Sequence, residues 1–359
     1  NIIGIGYVGF TLALHMSLQK VRVYATDNNN KTIQSLNNGV SHIHESAIQK
    51  SLEESISLNN ISFSTYIEKD TGNYVIAISY YPNQQKEFLE SITNLFPSNR
   101  SNKIKPLIMI RGTIPAGYIR EYLLPGLVSH FNGQLDEEFY LVSAPERSLS
   151  GNAIEELSML PQIIGGSVKS LSKAKEVFSY ADIEVIEMPS YEASELVKSF
   201  TNYARLVQFN LANYLAVLAD IGNVNENLLF NAIKHNYPRM DFLNSPGNGV
   251  GGFCLPKDSL VLQDSLSSIE SISKYESIAT FPLQQYNLNE DIIKYHGDQI
   301  AKLIESDMNI LALGIAFKGE PETDDLRDSV GIKIINNLRE KGVQVDVFDF
   351  SVSTDIILG

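Results

Sequence analysis

The 359-residue chain holds one cysteine, Cys254, so it can form no internal disulfide and no site of three or four cysteines. Its six histidines show no clustered ligand spacing, which argues against structural zinc, and no metal is expected. No apolar run approaches the roughly 20 residues that a membrane-crossing helix needs, and no signal-peptide pattern is visible. Positive charge is scarce too. With 28 Lys and Arg against 42 Asp and Glu, the net charge is −14, which argues against nucleic acid or an anionic membrane as the main partner while leaving room for a local basic pocket. No low-complexity run interrupts the chain. Hydrophobic residues at 43% and charged residues at 19% describe a globular protein of two or three domains, with the cytoplasm as the expected location.

The opening "NIIGIGYVGFTLALHMSLQKVRVYATD" reads as strand, glycine turn, helix and strand, with Asp27 closing the second strand. Short apolar runs at Tyr74–Ser79, Pro106–Thr113, Phe139–Arg147 and Gln162–Gly166 alternate with helix-like segments, and such alternation predicts a parallel sheet with helices on both faces. From Tyr191 to Gly222 no proline occurs and no glycine until the end. Leu196, Phe200, Tyr203, Val207, Leu211, Tyr214, Leu218 and Ile221 recur there at spacings of three and four, predicting one helix, roughly 45 Å long, that ties domains or subunits together. Met308 to Phe350 repeats the strand, helix, strand rhythm. The expected architecture is α/β: two Rossmann-like doubly wound domains joined by a central helical domain with one long helix. The boundaries fall at 1–188, 189–300 and 301–359. The chain opens at Asn1 inside an apolar run and stops after "STDIILG", so it is expected to be part of a longer product.

Gly4, Gly6 and Gly9, with Tyr7 and Val8 between, form G-x-G-x-x-G between a predicted strand and helix. The first glycine permits the turn, the second admits a pyrophosphate to the backbone, and the third lets helix and strand pack closely. A carboxylate at Asp27 can accept both ribose hydroxyls and would repel a 2′-phosphate, which favours NAD over NADP. Lys198 and Asn202, four apart, share a helix face opposite the apolar stripe. They read either as a solvated polar face or as an ammonium and an amide aimed at an oxyanion. Cys254 reads equally as a small buried hydrophobe or as a nucleophile whose thiolate is favoured by Lys257 and the glycine-loop amides. Gly249, Gly251 and Gly252 beside it allow close backbone approach to a ligand. "APER" (Ala144 to Arg147) and Arg111-Gly112-Thr113 end predicted strands, where α/β ligand sites form. Thr323, Asp324 and Asp325 can simply start a helix. A magnesium site there lacks a third placed ligand.

Taken together, "GIGYVG", "RGTIPAG", "APER", "ELVKSFTN", "GVGGFCLPKD" and "AFKG…TDDLRDS" resemble, in order and approximate spacing, the nucleotide-sugar 6-dehydrogenases of the UDP-glucose/GDP-mannose dehydrogenase family. The resemblance spans nearly the whole chain. It implies oxidation of the C6 alcohol of a nucleotide-linked sugar to a carboxylate, with two NAD⁺ reduced in turn. By that resemblance Cys254 is the nucleophile, forming first a thiohemiacetal and then a thioester. Lys198 and Asn202 stabilise oxyanions, and Asp258 with Thr113 positions or activates water. Glu146 lies where sugar and nicotinamide meet, beside Arg147. Lys257 and Arg327 match contacts to NAD, the loop Phe242–Gly252 and Lys318 match regions holding the nucleotide diphosphate, and Arg239 matches an arginine reaching a neighbouring subunit's substrate. A UDP-sugar substrate and a homodimer follow as expectations.

One departure sharpens the reading. Where UDP-glucose and GDP-mannose enzymes carry a "PEFLRE"-like stretch, this chain has "PERSLSG", with Ser150 in place of the second glutamate. That form resembles the branch acting on UDP-N-acetylmannosamine or UDP-N-acetylglucosamine, with UDP-glucose the runner-up. Two rivals stay open: a two-electron hydroxyacid dehydrogenase, which needs no Cys254, and a regulator that binds NAD or a nucleotide sugar without turnover.

Overall fold

In the computed structural model, residues 1–68, 72–96, 104–148, 151–267, 269–305, 308–320 and 323–352 are described. The chain divides into two compact units, Asn1–Ser199 and Phe200–Gly359.

In the first unit, short apolar runs form β1 (Ile2–Ile3), β2 (Val23–Thr26), β3 (Ile61–Ser64), β4 (Asn73–Ile76), β5 (Leu107–Ile110), β6 (Tyr140–Ser143), β7 (Gln162–Gly166) and β8 (Val185–Met188). All four residues of β5 are buried, the signature of a strand covered on both faces. The covering helices are α1 (Tyr7–Leu18), α2 (Asn30–Asn37), α3 (Ser46–Ser57), α4 (Gln85–Thr93), α5 (Leu124–Phe131), α6 (Ala153–Met159) and α7 (Val168–Tyr180). The eight strands form one sheet in the order β3-β2-β1-β4-β5-β6-β7-β8. The expected all-parallel sheet needs one correction, because β7 runs antiparallel to β6, pairing Val142 with Gly166 and Ser143 with Gly165. The connection between them returns at the carboxyl end of β6 instead of crossing the sheet, and so keeps the "APER" segment where α/β ligand sites form.

The glycine turn is built as its spacing requires. Gly4 sits at φ +82°, and a Cβ on Gly9 would lie 2.0 Å from the Gly4 carbonyl oxygen. A Cβ on Gly6 would meet nothing within 4 Å. Gly6 is also the N-cap of α1 and supplies no side-chain acceptor, so the first N–H groups of the helix are left to a ligand.

Helix α8 (Tyr191–Ile221) is followed by α9 (Glu226–Lys234), α10 (Leu255–Ser267), α11 (Glu276–Ala279), α12 (Phe281–Leu303), β9 (Ile310–Leu313), α13 (Val330–Glu340) and β10 (Val345–Phe348). Strands β9 and β10 pair in parallel, and Ile293, Ile315, Ile334, Ile335, Leu338 and Val345 pack as their core. Helix α13 starts later than Thr323. Its N-cap is Ser329, whose side chain accepts from the Ile332 N–H, and the residues before it form a loop.

The apolar stripe of α8 is not the face this chain buries. Phe200, Leu211, Tyr214, Leu218 and Ile221 are exposed, while Asn202, Leu206, Asn210, Asn213 and Ala216 are buried. Among the described residues no helix is long and apolar enough to cross a membrane.

The glycine geometry separates two substitutions. Gly9→Ala is expected to cost about 1–3 kcal/mol of stability, because its Cβ meets fixed backbone. Gly6→Ala should stay within about 0.5 kcal/mol of wild type, because its Cβ points into open space. Urea unfolding of both variants checks the contrast.

Candidate active site

At the carboxyl edge of the first unit's sheet, Asp27 holds the glycine turn. Its Oδ2 accepts from the Ile5 N–H (3.0 Å) and its Oδ1 from the Asn29 N–H (2.9 Å). A carboxylate offers about four acceptor positions, so two remain for a ribose diol. The open Gly6, the uncapped α1 and Asp27 together fit a dinucleotide. The Tyr7 hydroxyl accepts from the Gly151 N–H (2.6 Å) and bonds Glu45 Oε2 (3.2 Å), tying this turn to the segment after Arg147.

Glu146 is turned inward. Its Oε2 is ion-paired with the Nη2 of Arg111, and its Oε1 accepts from the N–H groups of Arg147 and Ser148, both at 2.6 Å. Arg111 is 1% exposed and also donates to Gln162 Oε1 (2.6 Å). Burial lowers its pKa to about 9, still high enough to stay charged beside Glu146. Arg147 Nη2 donates to the Pro161 carbonyl (2.6 Å). Thr113 is half-buried in the loop after β5. That loop is anchored by Glu195 of α8, which accepts from the N–H groups of Gly117 (2.7 Å) and Ile119 (3.3 Å). Lys198, one turn further along α8, is 8% exposed. Ser150 lies outside the described residues.

In the second unit Cys254 is exposed, which removes its reading as a buried filler. It stands at the start of α10, where its carbonyl accepts from the Asp258 N–H (2.9 Å), and a helix N-terminus favours a thiolate. Asp258, 1% exposed, is gripped from two sides. Asn202 Nδ2 donates to Oδ2 (2.5 Å) and Lys257 Nζ to Oδ1 (2.7 Å). Asn202 is 4% exposed, so the solvated-face reading of the Lys198 and Asn202 pair fails. The Phe253 ring carries two cations, Arg327 Cζ at 4.6 Å and Lys257 Nζ at 5.2 Å from its centroid. Arg327 is in turn paired with Asp325 (2.7 Å), and Lys318 Nζ lies 5.4 Å from the centroid of the Phe317 ring.

The loop before Cys254 is also constrained by its own surroundings. Its glycines are required by the protein's own walls: an added Cβ would come within 2.3 Å of Ile293 Cγ1 at Gly249, 2.9 Å of the Asp328 carbonyl oxygen at Gly251, and 2.6 Å of the Phe317 ring at Gly252. Arg239 and Phe242 are exposed, and Arg239 lies over Tyr237 (5.8 Å). Neither joins the hydrogen bonds around Asp258.

Glu195 and Asn289 are structural members of these sites that sequence reasoning passed over, and Arg111 was read only as the end of a strand and not as the partner of Glu146. Arg111 did leave a signal, since a charge closing the apolar run "LIMIR" needs a buried partner. Glu195 and Asn289 left none, because the loops they hold lie far away along the chain.

Burial pushes the Glu195 carboxyl from 4.5 up to about 8, against the opposing pull of the Gly117 and Ile119 N–H groups. Between those values the folded protein keeps a proton that the unfolded chain releases, so stability falls as pH rises through that window. Glu195→Gln should abolish this part of the slope, as read from denaturant unfolding at several pH values against wild type.

Three parts of the UDP-glucose/GDP-mannose dehydrogenase family match the chain: the NAD binding domain over residues 1–182, the central domain over 192–277 and the UDP binding domain over 311–358. UDP-N-acetyl-D-mannosamine dehydrogenase of Pyrococcus horikoshii is 28% identical over 357 residues, covering 97% of this chain and 82% of that protein. A solved structure of UDP-D-ManNAc dehydrogenase from Pyrococcus horikoshii has a TM-score of 0.83 at 26% identity, covering 98% of this chain and 84% of that one. That of UDP-N-acetyl-mannosamine dehydrogenase from Staphylococcus aureus has 0.80 at 26% identity, covering 99% and 82%. With its glycine turn, acid and thiol loop in the matched segments, the chain belongs to the UDP-glucose/GDP-mannose dehydrogenase family and is an NAD-dependent oxidoreductase.

Proposed function

We propose that the protein oxidises the C6 hydroxymethyl of a UDP-N-acetylhexosamine, UDP-N-acetylmannosamine first among them, to the carboxylate through a thioester on Cys254. The carrying observation is the exposed Cys254 thiol at the start of α10, one helical turn from an Asp258 held by Asn202 and Lys257. The names of the similar proteins support the sugar, and UDP-glucose is the runner-up.

NAD⁺ supplies the hydride acceptor in both oxidations. The C6 alcohol first loses a hydride and a proton to become an aldehyde. The Cys254 thiolate adds to the aldehyde carbon, and the oxygen takes up negative charge. Asn202, whose amide has a second N–H beyond the one given to Asp258, supports that oxygen, and Lys198 takes the matching role. Loss of a second hydride leaves the thioester. Water then attacks it, with Asp258 and Thr113 directing the water, and releases the carboxylate and the thiol. A covalent aldehyde cannot diffuse away between oxidations. Glu146, held by Arg111, orders the loop where sugar and nicotinamide meet, with Arg147 beside it.

Gly4, Gly6, Tyr7, Val8, Gly9 and Asp27 take the dinucleotide, and Lys257 and Arg327 add contacts to it. Phe242, Gly249, Gly251, Gly252 and Lys318 take the nucleotide diphosphate, and Arg239 reaches a neighbouring subunit's substrate. Residues 1–188, 189–300 and 301–359 divide the work among cofactor, thiol loop and nucleotide. A cytoplasmic setting suits a chain whose one thiol must stay reduced.

Following NADH absorbance with UDP-N-acetylmannosamine, UDP-N-acetylglucosamine, UDP-glucose and GDP-mannose should give about two NADH per sugar consumed. One NADH with a free carbonyl product would instead identify a two-electron dehydrogenase. Cys254→Ser should abolish net oxidation while retaining UDP-sugar binding.

We infer that the protein is a homodimer through α8, because the exposed Phe200, Leu211, Tyr214, Leu218 and Ile221 form an apolar surface of the kind that partners cover. Light scattering should report a dimer for wild type and a monomer for Leu211→Glu/Leu218→Glu.

A further inference from the structure

Four glycines in the seven residues before Cys254, namely Gly247, Gly249, Gly251 and Gly252 in the run Gly247 to Phe253, make a segment with no intrinsic preference for one path. Fixing a residue's backbone costs about 1–2 kcal/mol each, so something else must hold it. Helix α12 does this at two points one turn apart. Ile293 walls off Gly249, which adopts φ +133°. Asn289, 0% exposed, takes both polar backbone groups of Val250, accepting from its N–H with Oδ1 (2.7 Å) and donating to its carbonyl with Nδ2 (2.9 Å). The side-chain amide thus stands in for a neighbouring strand. A reversed amide would set donor against donor and acceptor against acceptor, so its orientation is determined. The rest of the segment is pinned by Asn213 Oδ1, which accepts from the Gly247 N–H (2.7 Å), and by the Asp328 carbonyl, which accepts from the Gly252 N–H (3.2 Å).

We propose that Asn289 is a positioning residue for the oxidation: through Val250 it sets the path of the loop that delivers Cys254 to the start of α10. It touches no reacting atom. The assignment rests on the function proposed for Cys254, and its test is built to fail separately from that function.

Two variants carry the test. Asn289→Ala removes both bonds. A displaced thiol should lower kcat by about 10- to 100-fold, leave KM for NAD⁺ within about twofold, and raise amide exchange in the peptide covering 243–254 while the first unit's strands keep their protection. Asn289→Asp is the conservative variant with a built-in switch. Protonated, its carboxyl accepts from the Val250 N–H and donates to the Val250 carbonyl as the amide does; ionised, it sets a charged oxygen against that carbonyl. The charged groups on the elements around it, Glu290 of α12, Asp328 before α13 and Lys333 on α13, are already paired with one another (2.5–2.6 Å). The ratio of Asn289→Asp to wild-type kcat should therefore rise as pH is lowered from about 9 to about 6, and the Asn289→Ala ratio should stay flat.

Unchanged kcat in both variants, or an Asp ratio as flat as the Ala ratio, overturns the assignment, as does altered exchange without altered kcat. If wild-type protein oxidises none of the four nucleotide sugars, the proposed function fails, and the same pH-dependent ratio is read from the rate of Cys254 alkylation by iodoacetamide. A flat ratio there overturns Asn289 on its own terms. Should Asn289→Ala not fold, the isosteric Asn289→Asp decides the question through its own pH dependence.

Discussion

A backbone N–H that leaves a strand for a loop still needs an acceptor, and a buried one left without costs about 1–3 kcal/mol. At five places around the sites of this chain that acceptor is a side-chain carboxyl or amide, either a near neighbour or one brought from further along the same unit. Asp27 takes the Ile5 and Asn29 N–H groups, Glu146 those of Arg147 and Ser148, and Glu195 those of Gly117 and Ile119. Asn213 takes that of Gly247 and Asn289 that of Val250. A loop held this way keeps an irregular path, which a strand partner would flatten. It also keeps one flank of its backbone open for a ligand. The carboxylates need support of their own, because a buried charge without a partner is far more costly than an unmade neutral hydrogen bond. Arg111 supplies that support to Glu146, and Lys257 with Asn202 supplies it to Asp258.

The same device appears twice in nearly the same form. Gly4, at φ +82°, donates its N–H to the Thr26 carbonyl (2.9 Å), and Gly314, at φ +83°, donates to that of Phe348 (2.8 Å). Asp27 and Asp349 follow the second strand of each turn and accept from Ile5 and Ile315 respectively. Gly9 and Gly331 are each the point where an added Cβ would press on the first glycine's carbonyl. The two copies differ where a ligand would bind. Asp349 already accepts from Ile315, Ala316, Ser351 and Val352, which fills the capacity of a carboxylate, whereas Asp27 has used half. Ser329 caps α13 with its own side chain, whereas Gly6 leaves α1 uncapped. Only the first turn offers both an open helix end and an acid with lone pairs to spare, and the cofactor assignment follows from that difference.

Those comparisons explain how much could be read from residues alone. The G-x-G-x-x-G turn, the acid at Asp27 and the extent of the long helix were legible, because each is a local pattern of spacing or composition whose physical cause lies within about 30 residues. The direction of β7 was not, since a short apolar run has no polarity of its own and its pairing depends on where the connecting segment passes. The inward turn of Glu146 was hidden for a related reason: "APER" is equally compatible with an exposed pair, and only the arginine at 111 decides otherwise. Asn289 looks like any helical asparagine in "NLNEDII". Its task is set by Val250, 39 residues earlier in the chain.

Helix α8 shows what such loop-holding costs the element that does it. Its buried side carries Asn202 for Asp258, Asn210 for the Gln285 carbonyl (2.7 Å) and Asn213 for Gly247. Each is a polar group that must stay dry and must reach a particular atom, so positions that an ordinary amphipathic helix gives to leucine are occupied by amides. Larger apolar residues of the same helix, Phe200, Leu211, Tyr214, Leu218 and Ile221, stand exposed on the opposite side. After Tyr191 at its start, the buried apolar residues of this 31-residue helix are Leu206, Ala212, Ala216 and Ala219, three of them alanines that leave room for the amides beside them. Making the inner side apolar would release three loop and carboxylate contacts at once. The inner side is thus committed to the amides that hold the thiol loop and Asp258, and Leu206 is the one large apolar side chain buried among them.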